Sequence, residues 1–80
     1  MSRGPERSDE RAWLAGVGRR VRLACVRRRE SQDQVAKIAR ISRVTLGSIE
    51  RGEHPAAVLA YVRLARVLGV SMDDLLDGAR

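Results

Sequence analysis

Eighty residues make one small domain and leave no room for a catalytic domain beside a separate binding domain. Hydrophobic residues reach 44% of the chain with no Phe, one Trp and one Tyr, so any core is aliphatic, which suits packed helices better than a β-sandwich. The net charge of +6 is uneven: residues 1–52 hold 13 basic and 6 acidic side chains and residues 53–80 hold 3 and 4, the electrostatic footprint of a nucleic-acid binder.

Residues 1–8, polar and charged around Gly4 and Pro5, read as a disordered basic arm, and 9–80 as the folded domain. A first helix is expected over residues 9–29, with Asp9 and Glu10 near its positive end. Trp13, Leu14, Val17, Val21 and Ala24 recur at three- and four-residue spacing and give it an apolar face. Arg19, Arg20, Arg22, Arg27 and Arg28 form the other face, either solvated or touching phosphate.

Ser31 followed by Gln34 is a capping box, opening a second helix from Gln32 to Ala39 with Val35, Ala36, Ile38 and Ala39 as apolar positions. Ser42 caps a third helix from Arg43 to Arg51, and Gly52 closes it. Pro55 breaks the chain before a fourth helix over 57–68, whose apolar set is Val58, Tyr61, Val62, Leu64, Ala65 and Leu68. Ser71 and Asp74 repeat the capping pattern and start a short fifth helix through Leu75 and Leu76. There is no strand signal and no internal repeat, so the reading is all-α.

The second and third helices, joined by a tight turn, have the form of a helix-turn-helix, whose second helix enters the DNA major groove. Leu46 and Ile49 are expected to face inward, with Arg43, Val44, Gly47 and Ser48 outward as base readers. Arg43 suits guanine O6 and N7, Val44 a thymine methyl, and Ser48 either donor or acceptor. Gly47 costs roughly 1 kcal/mol of helix propensity against alanine, so it marks a close approach, to DNA or to another helix. Gln32 at the start of the second helix, with Ser42, Thr45 and Arg51, is the candidate set for phosphate.

Other chemistries find little support. Cys25 and His54 are single, giving neither a disulfide, a metal cluster nor a nucleophile–base pair. No cofactor, metal or small-molecule ligand is expected, and the chain reads as a non-enzyme. No apolar run approaches the ~20 residues of a membrane span, and the N-terminus lacks a secretory pattern. The expected location is the cytoplasm.

V-G-R-R-V-R at 17–22, S-Q-D-Q-V-A at 31–36, S-R-V-T-L at 42–46, I-E-R-G-E at 49–53 and L-A-R-V-L-G-V-S-M-D-D-L-L at 64–76 resemble, without gaps, the Cro/phage-repressor (Xre) type of helix-turn-helix proteins. The G-S-I-E-R-G-E run is also similar to DNA-binding domains of actinobacterial developmental regulators. The resemblance implies a compact five-helix, phage-repressor-like domain that binds double-stranded DNA, usually as a homodimer, in transcriptional regulation. The chain departs from the family in four places: Arg40 and Arg29 stand where glycines usually close the second and first helices, Glu30 where leucine is usual, and Ala57 where Ser or Thr caps the fourth helix. A left-handed backbone at Arg40 would cost about 1 kcal/mol.

The resulting expectation is a regulator, a repressor, that binds an inverted-repeat operator as a homodimer. Val70, Met72, Leu75 and Leu76 are the candidate dimer contacts, or else close the monomer core. The alternative is a protein-interaction module, an antitoxin or anti-repressor, on the same fold.

Overall fold

A computed structural model describes residues 7–53 and 56–76, with side chains from residue 10 onward. Within them run five helices: α1 (Arg7–Arg28), α2 (Gln32–Ala39), α3 (Arg43–Arg51), α4 (Val58–Leu68) and α5 (Met72–Leu76). Helix α1 takes in Arg7 and Ser8, which the sequence reading gave to the arm; the rest of that arm, with His54, lies outside the described residues.

The local chemistry accounts for the boundaries. Ser31 Oγ accepts from the Gln34 N–H at 3.1 Å while Gln34 Oε1 accepts from the Ser31 N–H at 2.8 Å, a complete capping box on α2. Ser42 Oγ accepts from the Thr45 N–H at 2.9 Å to cap α3, and Ser71 Oγ does the same for Asp74 at the start of α5. Ala57, which has no capping group, leaves the N-terminus of α4 without a side-chain cap.

Helices α1 to α4 all stop by one device. The second residue past the helix donates to a carbonyl five back: Glu30 to Cys25, Ile41 to Ala36, Glu53 to Ser48 and Val70 to Ala65, at 3.0–3.2 Å. The residue before it sits left-handed each time. It is a glycine after α3 and α4 (φ 66° and 70°) but arginine after α1 and α2 (Arg29 φ 58°, Arg40 φ 60°). The family's glycine geometry therefore survives its substitution, at about 1–2 kcal/mol per L-residue. At α2 the joint is also braced from α4, where Arg63 Nη1 donates to the Arg40 carbonyl at 3.0 Å.

Val17 and Val21 of α1, Val35 of α2, Leu46 of α3, Leu64 of α4 and Leu75 of α5 are the fully buried centre of the core. All five helices thus contribute to one aliphatic cluster. Buried Tyr61 points its hydroxyl back to accept from the Ala56 N–H at 3.2 Å, tying the segment before α4 to the core. Helix α5, only five residues long, is held by Arg20 of α1, whose Nε and Nη2 donate to the carbonyls of Leu75 and Leu76 at 2.8 and 2.9 Å. That arginine belongs to the face expected to be solvated or on phosphate; it instead closes the carbonyl end of α5.

Three apolar residues assigned to helix faces are not core. Trp13, Ile38 and Val58 are 43%, 56% and 73% exposed, because each lies at the margin of its apolar stripe, beyond the reach of the neighbouring helix.

Candidate nucleic-acid interface

Helix α3 is fixed from behind by two backbone contacts with α1. Gly18 lies against the last turn of α3 so closely that a Cβ there would be 2.5 Å from the carbonyl oxygens of both Ile49 and Glu50. Gly52 meets α1 in the same way, its hypothetical Cβ 2.9 Å from Ala15 Cα. Leu46 and Ile49 are buried, as their spacing suggested.

The opposite face carries Arg43, Val44, Gly47 and Arg51. Val44 is 75% exposed, an isopropyl group presented to solvent with nothing covering it. Gly47 is buried, but not by the core: a Cβ there would lie 3.0 Å from Arg51 Nη1 and 3.7 Å from Arg43 Nη1. The two guanidinium groups fold over the glycine from either side along the i, i+4, i+8 line of the helix. Each is held at Nε by a carboxylate from outside α3. Arg43 Nε donates to Asp33 Oδ1 of α2 at 2.9 Å, and Arg51 Nε to Glu53 Oε2 at 2.7 Å.

Ser48 departs from its expected outward position. It is only 8% exposed, and it lines a groove of about 550 Å³ with Ile41, Val44, Thr45, Leu59 and Arg63. The sequence pattern placed the outward face one residue too far round; Arg51, taken as a backbone anchor, belongs on it.

The candidate phosphate residues sit at the α2 and α3 N-termini. Ser42 Oγ donates to Thr45 Oγ1 at 2.8 Å, which commits the Ser42 proton and leaves the Thr45 proton to donate outward. Gln32 is half-buried, and its Nε2 donates to Glu50 Oε1, so one amide hydrogen is used within the domain. Glu50 is a group the sequence reading passed over. Its Oε2 is buried without a hydrogen-bond partner among the described residues. Burial pushes the carboxyl above its usual range, opposed by the charges of Arg22, Arg43 and Arg51. Burial, then Glu50 and Glu30, likewise raises the thiol of buried Cys25. A raised thiol pKa makes Cys25 a core residue with little thiolate character.

Of the candidate dimer residues, Leu75 is 1% exposed and belongs to the core, its carbonyl end taken by Arg20. Val70, Met72 and Leu76 are half-buried and pack against that core. The more exposed apolar side chains nearby are on α1, where Leu23 and Val26 are 53% and 64% exposed; Leu23 and Val70 share a groove rimmed by Arg20, Arg27 and Asp74. They lie opposite the core stripe of α1, where apolar periodicity gives no sign of them.

No group of three or more His, Cys, Asp or Glu side chains able to hold a metal occurs among the described residues. No described helix is long and apolar enough to cross a membrane.

No curated protein matches the chain. Among solved structures it is similar to the restriction-modification controller protein C.AhdI from Aeromonas hydrophila, at 26% identity and a TM-score of 0.75, over 80% of this chain and 97% of that one. The model of the family described as a helix-turn-helix domain matches residues 17–78. With the capped α2–α3 pair at its centre, the chain belongs to the helix-turn-helix family, of the Cro/Xre type.

Proposed function

We propose that the chain is a sequence-specific transcriptional regulator, acting in the cytoplasm as a homodimer on an inverted-repeat operator. It acts by binding DNA and catalyses no reaction. The observation that carries this reading is the uninterrupted outer stripe of α3: two arginine ends over a glycine beside an exposed valine, on a helix capped at both ends. Arg43 reads guanine and Val44 a thymine methyl, and Gly47, having no side chain, leaves the outer face free for the guanidinium groups laid over it. Ser48 is left out of the reading set because its side chain faces the α4 groove. Thr45, Gln32 and Arg51 neutralise or hydrogen-bond phosphates, Arg51 from the edge of the stripe.

Pairing of two copies doubles the few base contacts that one α3 can make. The face around Leu23, Val26, Val70, Met72 and Leu76 is the one we assign to it. It is apolar at its centre, and the Arg27 and Asp74 at its rim are of opposite sign, so a twofold pairing can set one against the other. Similarity to a controller protein supports a regulatory role; repression follows where operator occupancy excludes polymerase.

Selection of bound duplexes from a random library tests the whole reading. The expected product is a palindrome with half-sites about 34–36 Å apart, centre to centre. Enrichment of no motif overturns DNA recognition, and enrichment of a lone half-site overturns the homodimer.

A further inference from the structure

Asp33 does little for the fold beyond placing a negative charge in the first turn of α2. Its side chain is 84% exposed, and its partner Arg43 is half exposed. Ion pairs of that kind add little to stability, because water screens the attraction and ordering two side chains opposes it. The pair nonetheless bridges two helices at a point where a cation is badly placed. Arg43 is the first residue of α3, at the positive end of the helix dipole, and the first turn of α3 contains no acidic residue. The missing counter-charge comes from the first turn of α2, where Asp33 is favourable to its own helix as well.

The contact is also selective among the donors of the guanidinium. Asp33 Oδ1 takes Nε at 2.9 Å, leaving both Nη groups uncommitted to it, and Nη1 rests over Gly47 on the outer face. Guanine offers two acceptors, O6 and N7, at the spacing of such a fork. Adenine offers N7 beside an amino group, which repels a rigidly presented donor pair. A mobile arginine can shift to a single bond with N7 of either purine; one fixed at Nε cannot do so freely.

Building on the base-reading role of Arg43, we propose that Asp33 is a positioning residue that makes Arg43 a reader of guanine alone. Asp33 thereby trades affinity for specificity: its negative charge lies beside the DNA and weakens binding to any sequence, while the orientation it imposes sharpens discrimination at one base pair.

The test uses the full chain and duplexes carrying the selected operator, with each base pair in turn replaced by the other three. Arg43→Ala first identifies the base pair it reads, as the position at which discrimination collapses. Asp33→Ala is then expected to lower the preference for guanine over adenine at that position about tenfold, while binding to an unrelated duplex stays equal or tightens. Asp33→Asn, which keeps an oxygen acceptor for Nε, should retain most of the preference. A merely structural role would lower affinity for all duplexes together. An unchanged preference in Asp33→Ala, or a uniform loss on all duplexes, overturns the proposal while leaving Arg43 as the reader. If Arg43→Ala leaves discrimination intact at every position, the base-reading role fails and this proposal with it.

Discussion

Gly18 of α1 and Ile49 of α3 are in backbone contact: a single Cβ on Gly18 would stand 2.5 Å from the Ile49 carbonyl oxygen. The contact sets how far α3 stands out from the domain, because the neighbouring atoms are main chain and cannot rotate away. Gly18→Ala should therefore destabilise the fold by about 1–3 kcal/mol, as overpacking does, despite the better helix propensity of alanine. Gly16, just over half a turn round the helix, has only side-chain atoms as its nearest neighbours, Arg20 Nη1 at 3.3 Å and Arg19 Nη2 at 3.8 Å. Gly16→Ala should leave stability equal or raise it by up to about 1 kcal/mol. Urea unfolding of the two variants separates them; equal midpoints would contradict the close crossing.

Arg40 holds a left-handed conformation that the rest of the domain imposes. Its carbonyl is engaged by Arg63, and the two closing hydrogen bonds of α2 run through it and Ile41. Glycine adopts this conformation without the clash but has more freedom to lose on folding. The balance predicts that Arg40→Gly raises stability by about 0.5–1 kcal/mol, read as a higher urea midpoint with an unchanged slope. A lower midpoint would mean that the side chain does more than endure the turn.

Glu50 gives the domain a pH dependence of unusual sign for a carboxylate. Its folded pKa is raised by burial, against the opposing charges of Arg22, Arg43 and Arg51. The folded state then binds the proton more tightly than the unfolded chain. The associated stability is complete below the ordinary glutamate value of about 4.3 and is lost as pH rises through the folded value. Glu50→Gln keeps an oxygen for Gln32 and removes the charge. The stability of Glu50→Gln relative to the parent should thus increase on going from about pH 4 towards neutrality and then level off. A difference that shrinks with rising pH would show that the arginines, not burial, dominate.

Arg20 is the clasp of α5. Hydrogen bonds from a charged donor are worth about 1.5–3 kcal/mol each, and this one makes two, to Leu75 and Leu76. Arg20→Ala should release α5 locally, seen as faster amide exchange over residues 72–76 with little change in the α2–α3 pair. Because α5 adjoins the proposed pairing face, the dimer should weaken in sedimentation at the same time.

The sequence laid out α2 and α3 to the residue, because their limits are written in local chemistry: Ser31 with Gln34, Ser42, and the closing Gly52. Even the two left-handed arginines were visible, as departures from a glycine pattern. What could not be read locally came from the way the helices cross. Ser48 faces the groove beside α4, Leu75 is taken into the core against α1, and the Oε2 of half-buried Glu50 is closed off from solvent. Gly18 carried a signal, a second glycine within three residues of Gly16, but nothing in sequence said which of the two touches another backbone. Asp33 drew no reading of its own from the S-Q-D-Q-V-A run; its link to Arg43 exists only because the turn at Arg40 folds α3 back beside it.

Whether α3 reads DNA sequence through Arg43 is decided by a fluorescence anisotropy titration of the parent and Arg43→Ala against the selected operator and an unrelated duplex at one salt concentration. Arg43→Ala should lose about 1–3 kcal/mol on the operator and nearly nothing on the unrelated duplex. Equal losses on both would make Arg43 a phosphate contact and contradict the claim.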